Sequence, residues 1–336
     1  MTRAQVFLTH GPSARANYYG DRALAGLRAV ADVHLHGSDA AWTADALAAA
    51  AQHCDVIVSD RSAEAPAALL QRLPKLAAFV RCAVDIRNID VPAASALGIL
   101  VTQASAGFMA SVSEWVIGVM VDLSREVSAS VHQYRTGATP LPRMGRELRG
   151  ATLGIIGYGQ IGRRVAALGN AFGMRVLVAD PHADVLHPSI VPMPLPQLLA
   201  DSDHVVCLAT ATPETENLMN AAAFAAMKPS AFFINASRGN LVDEAALLQA
   251  LDAGRIAGAA LDVGRAPDQM PSVALARHPR VIATPHIGGL TLPAIEHQSM
   301  ETARQVADIV AGRIPAGAVN AASAQRPRAR FGAATP

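Results

Sequence analysis

The segment from residue 150 to Asp180 constrains the fold of this chain most, because it carries a strand, a turn, a helix and a strand in series. The apolar run 153–156 predicts a buried strand. A turn with three glycines follows at 157–162, then a helical stretch, and a second apolar run at 176–179 leads into Asp180. This order of elements is typical of the βαβ unit that binds dinucleotides, although glycine turns also occur in α/β folds that bind no nucleotide.

Each glycine of the turn has a separate role in this interpretation. Gly157 can adopt the positive φ of the tight turn, Gly159 lets the backbone approach a pyrophosphate, and Gly162 lets the helix pack against its strand. The amino terminus of the helix presents unpaired N–H groups to the phosphate charge. Asp180 would accept hydrogen bonds from both ribose hydroxyls of NAD and repel the extra phosphate of NADP, so the sequence predicts NAD as the cofactor.

The composition argues against several other classes of protein. The net charge is +1 and no basic patch alternates with aromatic residues, so nucleic acid is not an expected partner. Cys54, Cys82 and Cys207 have no CxxC spacing, which favours a reducing cytoplasm over a metal site or a disulfide framework. Residues 1–10 lack the long apolar core of a signal peptide, and no apolar run reaches membrane-spanning length. We therefore expect a cytoplasmic protein without a membrane segment.

Strands and helices are expected to alternate along most of the 336 residues, a length typical of about two domains. Apolar runs predict strands at 5–9, 33–35, 56–58, 77–82 and 99–101 before the glycine turn, and at 205–209, 232–234, 257–263 and 281–283 after it. A long, largely apolar helix is expected from Ser111 to Ser130.

The nucleotide-binding pattern begins only near residue 150, so the first hundred residues are expected to form a sheet of their own. The sequence predicts an α/β fold with two doubly wound parallel sheets. A flavodoxin-like substrate domain would comprise residues 1–101 and 291–320, and a Rossmann-type NAD-binding domain residues 102–290. The active site is expected in the cleft between the two domains. The basic, proline-containing segment 321–336 is expected to be disordered.

Two polar segments directly follow predicted strands, at the sheet edge where α/β folds bind ligands. The segment 235–239 contains Arg238, whose guanidinium is a fork suited to a carboxylate, although a lone Arg most often forms a surface salt bridge. The segment 284–289 contains His286 at a strand end, with two glycines close behind it. A lone His most often has a structural role, but this position is better suited to proton transfer. The other histidines show no metal-ligand spacing, so no metal site is expected.

Taken together, the motifs make the sequence similar to a known family over roughly residues 5–320. These motifs are GYGQIG with Asp180, ATPET at 211–215, NASRGNLVDEAAL at 235–247, GAALDV at 258–263 and TPHIGG at 284–289. In this order and spacing they resemble the D-isomer-specific 2-hydroxyacid dehydrogenases.

The resemblance implies a role for several side chains. Arg238 would hold the substrate's carboxylate and carbonyl, His286 would exchange a proton with the keto oxygen, and Asp262 would hold the nicotinamide carboxamide. The amides of Gln160 and Ile161 would contact the pyrophosphate. The implied cofactor site is lined by Gly157, Gly159, Gln160, Ile161, Gly162, Asp180, Ala209, Thr210, Thr215, Ala236, Ser237, Arg238, Asp262, His286 and Gly288. The helix after Ser111 would form much of a homodimer interface, although its apolarity fits a core helix equally well.

The family usually pairs its catalytic His with a Glu that precedes a Pro, and this chain departs from that pattern. Alignment on Pro267 puts Ala266 at the Glu position, whereas alignment on His286 and Pro271 puts Asp268 there. An Asp at this position could still raise the pKa of the imidazole. We favour Asp268 as the third catalytic residue. Gln269 as a neutral substitute, or Asp268 as a solvated loop residue, remains an alternative.

The substrate loop departs from the family as well. The implied substrate-binding residues are Val84, Asp85, Arg87 and Arg238, but Asp85 stands where the family usually has a Gly whose backbone amides face a carboxylate. Arg87 would compensate by binding that anion or by pairing with Asp85. At the hinge, Gln103-Ala104-Ser105 stands where the family usually has Asn-x-Pro, and Thr210 stands where a cofactor-lining Pro is usual.

The sequence as a whole predicts an oxidoreductase that transfers a hydride between NAD(H) and a small 2-hydroxy or 2-keto carboxylic acid. Two alternatives stay open. One is an NAD-binding regulatory or scaffold protein with lost or weak catalysis, and the other is a related dehydrogenase with a substrate that has no keto oxygen, such as phosphite or formate.

Overall fold

The computed structural model describes residues 3–182 and 187–332, except for the side chain of Asp268. The chain divides into two compact units. Unit 1 comprises the described residues up to Gly107 and those from Leu292 onward, and unit 2 comprises Phe108–Thr291.

Unit 1 begins with a parallel sheet of five strands in the order β2-β1-β3-β4-β5. The strands are β1 (Ala4–Leu8), β2 (Ala31–Leu35), β3 (Val56–Ser59), β4 (Ala78–Arg81) and β5 (Leu100–Gln103). Helices α1 (Pro12–Tyr18), α2 (Asp21–Val30), α3 (Ala44–Ala51), α4 (Ala67–Gln71) and α5 (Val91–Ala96) connect them. This strand order is the flavodoxin-like one, so the predicted fold of this part of the chain is confirmed.

The inner strands β1, β3 and β4 are buried on both faces, which explains why they are largely apolar, whereas the edge strand β2 is partly exposed. Leu8, Val58 and Val80 belong to one core cluster, together with residues of α2. Phe7 and Phe79 point to the opposite face and pack in a second cluster. Successive side chains of each strand therefore serve two separate cores.

Unit 2 contains a parallel sheet of seven strands in the order β12-β11-β10-β9-β6-β7-β8. The strands are β6 (Thr152–Ile156), β7 (Arg175–Ala179), β8 (Ile190–Pro192), β9 (His204–Cys207), β10 (Phe232–Asn235), β11 (Gly258–Leu261) and β12 (Val281–Ala283). The strand order reverses beside β6, which pairs with both β7 and β9. Such a reversal opens a crevice at the carboxyl ends of the strands, as in the predicted Rossmann-type fold.

The helices of unit 2 are α6 (Met109–Arg125), α7 (Val127–Arg135), α8 (Gln160–Ala171), α9 (Leu195–Asp201), α10 (Ala221–Ala226), α11 (Glu244–Asp252) and α12 (Val273–Ala276). The prediction of one helix from 111 to 130 is wrong. Glu126 adopts a left-handed conformation with φ 53°, which ends α6 and starts α7 in a new direction. Ser111 lies inside α6, and its hydroxyl is 2.7 Å from the hydroxyl oxygen of Thr291.

The chain returns to unit 1 through α13 (Leu292–Val310), which packs against α2, and ends in α14 (Arg326–Phe331). The prediction of disorder from residue 321 is therefore wrong for residues 321–332. Arg326 donates hydrogen bonds to the carbonyls of Leu73 and Leu76 and so anchors α14 on the sheet's helical layer. Residues 333–336 lie outside the described residues.

Candidate active site

The glycine turn between β6 and α8 has the geometry that a dinucleotide needs. Gly157 has φ +94°, and a Cβ at this position would lie 2.6 Å from the amide nitrogen of Ala209. A Cβ on Gly162 would lie 2.3 Å from the carbonyl oxygen of Gly157, so the helix packs as closely as the sequence predicts. Gly159 precedes the first residue of α8, and a Cβ there would meet no atom within 4 Å. The open space lies where helix N–H groups can receive a phosphate.

Asp180 follows β7 and lies next to this turn. One carboxylate oxygen accepts the backbone N–H of Tyr158 at 2.7 Å, and the other accepts that of His182 at 2.9 Å. Each oxygen keeps a second lone pair for a ligand hydroxyl. The guanidinium of Arg163 stacks on the Tyr158 ring at 4.8 Å. The backbone thus fixes the acid beside the glycine turn, and these residues fit the adenosine half of NAD.

The loop after β9 lies against the same turn, because Ala209 is the residue that a Cβ on Gly157 would strike. Ser237 donates its hydroxyl to the carbonyl of Ala209 at 2.6 Å, which ties the loop after β10 to the loop after β9. The hydroxyl of Thr215 donates to the carbonyl of Thr210 at 2.8 Å. The predicted cofactor residues between 209 and 237 therefore form connected loops at the carboxyl edge of one sheet.

Arg238 stands three residues after β10 and is half-buried. Its backbone is extended, and its carbonyl accepts the side-chain N–H of Asn235 at 3.0 Å. One of its guanidinium nitrogens donates to the carbonyl of Ser237 at 2.8 Å. The next residue, Gly239, packs against the backbone of Gly264 so closely that a Cβ would lie 2.2 Å from it. The position of Arg238 is therefore set by the backbone on both sides.

His286 stands in the loop after β12, with its backbone in the left-handed region at φ 57°. Its N–H donates to the carbonyls of Asp262 and Thr284, at 3.0 and 2.9 Å. The strand order β12-β11-β10 separates the loop of His286 from that of Arg238 by one strand. The ends of β10 and β12 are therefore two strand spacings apart, or roughly 10 Å. The side chains of Arg238 and His286 could both reach a small ligand that lies between them at the end of β11.

Asp262 directly follows β11, between these two loops, and is only 3% exposed. Its carboxylate accepts the hydroxyl of Thr284 at 2.6 Å and the backbone N–H groups of Ile287 and Gly288 at 2.8 and 2.7 Å. The implied contact of this carboxylate with a nicotinamide stays a prediction.

The question of the partner of His286 stays open at this point. Asp268 lies in a 3-10 turn, Pro267–Gln269, but its side chain lies outside the described residues. Gln269 has φ 58°, and its buried side-chain oxygen accepts no hydrogen bond within the described part of the chain. Ala266 offers no polar atom on its side chain. The catalytic role of Asp268 therefore stays a prediction, with Gln269 as the alternative.

In unit 1, Val84, Asp85 and Arg87 lie in the loop after β4. The guanidinium of Arg87 binds the carboxylate of Asp85, with nitrogen–oxygen distances of 2.6 and 3.0 Å. This hydrogen bonding raises the pKa of Arg87 above its usual value. Of the two predicted uses of Arg87, the structure shows the pairing with Asp85.

Sequence reasoning missed Arg81, the largest fully buried side chain of the described residues. Its guanidinium donates to the carbonyl of Ala63 at 2.8 Å and to the side-chain oxygen of Asn88 at 2.7 Å, and also to the carbonyl of Asp60. It thereby joins the loop after β3 to the loop after β4. Burial lowers its pKa to about 10, against the opposing charge of Asp60. The sequence signal that could have identified this buried residue is a single Arg within the otherwise apolar run of β4.

Among residues 3–182 and 187–332, no group of three or more His, Cys, Asp or Glu side chains is arranged to hold a metal ion. No helix in the same part of the chain is long and apolar enough to cross a membrane.

Comparison with known proteins identifies the family. Residues 117–288 match the model of the D-isomer specific 2-hydroxyacid dehydrogenase NAD-binding domain, which agrees with the predicted cofactor. D-3-phosphoglycerate dehydrogenase of Rattus norvegicus is 34% identical over 283 residues, which cover 82% of this chain and 52% of that protein. The enzyme of the same name from Synechocystis is 34% identical over 272 residues, covering 79% and 49%. The chain thus spans about half the length of the curated relatives it matches.

Solved structures agree over nearly the whole chain. The TT0316 protein from Thermus thermophilus superposes with a TM-score of 0.84 at 27% identity, covering 94% of this chain and 99% of that one. The apo-structure of D-lactate dehydrogenase from Escherichia coli gives 0.82 at 25% identity, with the same coverage. The chain belongs to the D-isomer specific 2-hydroxyacid dehydrogenase family.

Proposed function

We propose that this protein is an NAD-dependent oxidoreductase that transfers a hydride between NAD(H) and a small 2-hydroxy or 2-keto carboxylic acid. The observation that carries the proposal is the shared sheet edge of unit 2. This edge presents the glycine turn and Asp180 on one side, and Arg238 and His286 on the other. Cofactor-binding groups and groups suited to a keto acid are thus attached to one sheet.

The cofactor is held by the chain in two places. The N–H groups at the start of α8, from Gln160 and Ile161, bind the diphosphate, because the helix dipole and unpaired donors favour negative charge there. The two oxygens of Asp180 accept the ribose hydroxyls. The cofactor held there would supply the hydride that the carbon of the keto group needs for reduction.

The substrate is held and protonated by two side chains. The fork of Arg238 binds the carboxylate and draws electron density from the carbonyl. His286 in its protonated form donates a proton to the keto oxygen during reduction and accepts it back during oxidation. Asp268 would keep the imidazole oriented and protonated, and Val84, Asp85 and Arg87 would contribute to the choice of acid.

A kinetic panel tests the proposal. NADH consumption is measured with glyoxylate, pyruvate, hydroxypyruvate and longer 2-keto acids, for the wild type, Arg238→Ala and Arg238→Lys. We expect turnover on at least one acid, a loss of kcat/KM of about 100-fold or more in Arg238→Ala and an unchanged Kd for NADH. Arg238→Lys keeps the charge but not the fork, so it should recover only part of the loss. NADH binding without turnover would favour the scaffold alternative. A second assay follows NADH formation from NAD+ with phosphite or formate, and activity there without turnover of any 2-keto acid would favour the non-keto alternative.

The proposal includes a homodimer formed through α6, α7 and the loop that follows them. This surface of unit 2 exposes the apolar side chains Leu141 and Met144, which are 82% and 98% exposed. Beside them lies a cavity of about 910 Å³, lined by both basic and acidic side chains such as Arg125, Arg143 and Glu126. Protruding apolar groups, a cavity and both signs of charge on one face suit a second copy related by a two-fold axis.

Sedimentation velocity tests this part of the proposal. We expect a dimer for the wild type and a monomer for Met144→Asp with Leu141→Asp, because two buried charges would oppose the contact. Val191→Asp changes a partly exposed apolar residue on the outer strand β8 and should leave the dimer intact. A monomeric wild type, or a dimer that survives both substitutions, would contradict the interface. We also propose a cytoplasmic location, which cell fractionation tests.

A further inference from the structure

The carboxylate of Asp262 accepts hydrogen bonds from the loop that carries His286. One oxygen accepts two hydrogen bonds, from the hydroxyl of Thr284 at 2.6 Å and the backbone N–H of Ile287 at 2.8 Å. The other oxygen accepts the N–H of Gly288 at 2.7 Å. Hydrogen bonds to an ionised acceptor are the strong ones, and here they reach residues on both sides of His286.

The backbone of Asp262 adds a further contact to the same loop. Its carbonyl accepts the N–H of His286 at 3.0 Å, while the carbonyl of Leu261 accepts that of Thr284 at 3.0 Å. Gly288 approaches so closely that a Cβ would lie 2.8 Å from the Asp262 carboxylate. Four of the five residues from 284 to 288 are therefore bound to the end of β11.

This set of bonds explains an unfavourable backbone conformation. His286 has φ 57°, in the left-handed region where a side chain with a Cβ is disfavoured. Such a conformation persists only where the surroundings over-determine it, and such residues concentrate at active sites. In this loop the surroundings include both the carboxylate and the carbonyl of Asp262.

We propose that Asp262 is a positioning residue, whose carboxylate holds His286 in the left-handed conformation that aims its imidazole at the substrate. This inference rests on the proposed function, in which His286 moves the proton. It does not depend on the role in nicotinamide binding that family resemblance implies, because the three hydrogen bonds to the carboxylate are all made within the chain. A general acid must stay within hydrogen-bond reach of its target, so loss of this anchor should reduce the chemical step before it reduces cofactor binding.

Two substitutions distinguish the effect of the Asp262 charge from the effect of its hydrogen bonds to the loop. Both oxygens of Asp262 accept hydrogen bonds, whereas the amide of Asn has one oxygen and one NH2 group. In Asp262→Asn the NH2 group therefore faces a donor in either orientation, and at least one hydrogen bond to the loop is lost. Thr284→Val has almost the same volume, keeps the carboxylate and both backbone N–H bonds, and removes only the hydroxyl bond. Thr284→Ser restores that bond and serves as the matched control.

The experiment measures kcat, KM, the Kd for NADH and the pH profile of kcat for these variants, together with amide exchange of residues 286–288 by mass spectrometry. We expect kcat to fall about 100-fold in Asp262→Asn and about 10-fold in Thr284→Val, with Thr284→Ser near the wild type. Amide exchange should accelerate at least about 10-fold in Asp262→Asn, the limb of the pH profile due to His286 should shift, and the Kd for NADH should change less than about threefold.

Two results would overturn the inference. A Kd for NADH raised tenfold with kcat and exchange unchanged would mean that the carboxylate serves the nicotinamide. Unchanged exchange at 286–288 in Asp262→Asn and in Thr284→Val would show that the loop needs no anchor. Exchange is measured without substrate, so a wild type that turns over no 2-keto acid would reject the proposed function while the anchoring is still tested.

Discussion

The two sheets end in different ways at their carboxyl edges. In unit 2 the edge is made by backbone: a glycine turn, short loops, and two carboxylates, Asp180 and Asp262, that accept backbone N–H groups. In unit 1 the edge is made by side chains, with the buried Arg81 and His10 and the half-buried Asp60 at the ends of three neighbouring strands. The first arrangement depends on local sequence, whereas the second depends on residues brought together from separate loops.

The charged groups of unit 1 depend on one another. Burial alone would raise the pKa of Asp60, yet hydrogen bonds from Ser62 and Ala63 and the nearby His10 hold it below its usual value. The carboxylate in turn opposes the effect of burial on Arg81 and His10. Removing one member should therefore disturb the whole edge, whereas the edge of unit 2 should respond to changes of backbone shape.

The largest effect is expected from Arg81→Met. The substitution leaves two carbonyls and the side chain of Asn88 without their donor, and removes the cation that faces Asp60. We expect the free energy of unfolding to fall by about 3–5 kcal/mol, as for a buried ion pair that loses one partner. Urea denaturation measures this. Arg87→Met is the matched control: its exposed pair with Asp85 should contribute less than about 1 kcal/mol. Equal losses in both variants would remove the contrast between buried and exposed charge.

The next largest effect is expected in the pH dependence of the free energy of unfolding, because each unit buries a histidine. Burial lowers the pKa of His10 and of His204 to about 4, although their charged neighbours differ. Above pH 6.5 both imidazoles are neutral in the folded and the unfolded chain, so they do not affect stability. As pH falls from 6.5 towards 4, the unfolded chain takes up the protons first and folding becomes less favourable. We expect a loss of about 2 kcal/mol per histidine at pH 5.

Urea denaturation between pH 7.5 and 5 measures this loss. His204→Gln should reduce the pH dependence by about half of the histidine contribution, and the same change at the exposed His53 should leave it unaltered. A pH dependence that survives His10→Gln with His204→Gln would show that other groups, such as the carboxylates of unit 1, control acid unfolding.

Sequence reasoning worked best where structure is set by neighbours along the chain. The glycine turn, the strand that precedes it and the fold class of both sheets could be predicted, because most of the inner strands are buried, largely apolar runs. The break at Glu126 could not, since a left-handed Glu has no local signature. The helix α14 could not either, because its arginines bind carbonyls and the carboxylate of Asp55, some 250 residues away or more. The hydrogen bonds between Asp262 and the His286 loop could not be predicted either, because they depend on the pairing of β11 with β12.

A smaller effect is expected in the glycine turn of unit 2, where two substitutions distinguish the packing of the backbone from the binding of the cofactor. Gly162→Ala puts a Cβ against the carbonyl of Gly157, so the backbone must move, and we expect a loss of about 1.5 kcal/mol in the free energy of unfolding. Gly159→Ala meets no atom within 4 Å and should change that energy by less than about 0.5 kcal/mol. Its methyl group would nevertheless occupy the diphosphate site, so NADH titration by fluorescence should show affinity lowered by tenfold or more. Unchanged affinity in Gly159→Ala would contradict the predicted diphosphate position.

The smallest effect is expected at Asp85 and bears on what unit 1 contributes. Under the proposed function, a carboxylate at this position repels the carboxylate of an incoming 2-keto acid, and its pairing with Arg87 only partly cancels that charge. Asp85→Asn should therefore lower KM for small 2-keto acids by threefold to tenfold, or about 1 kcal/mol, at low ionic strength, and the gain should shrink with added salt. The value of kcat should stay the same, because neither Arg238 nor His286 is changed. The side chain of Asn keeps similar volume, so shape is controlled for. A raised KM would mean instead that Asp85 recognises the substrate through a donor group, and the acid would then be one that carries a hydroxyl or an amine.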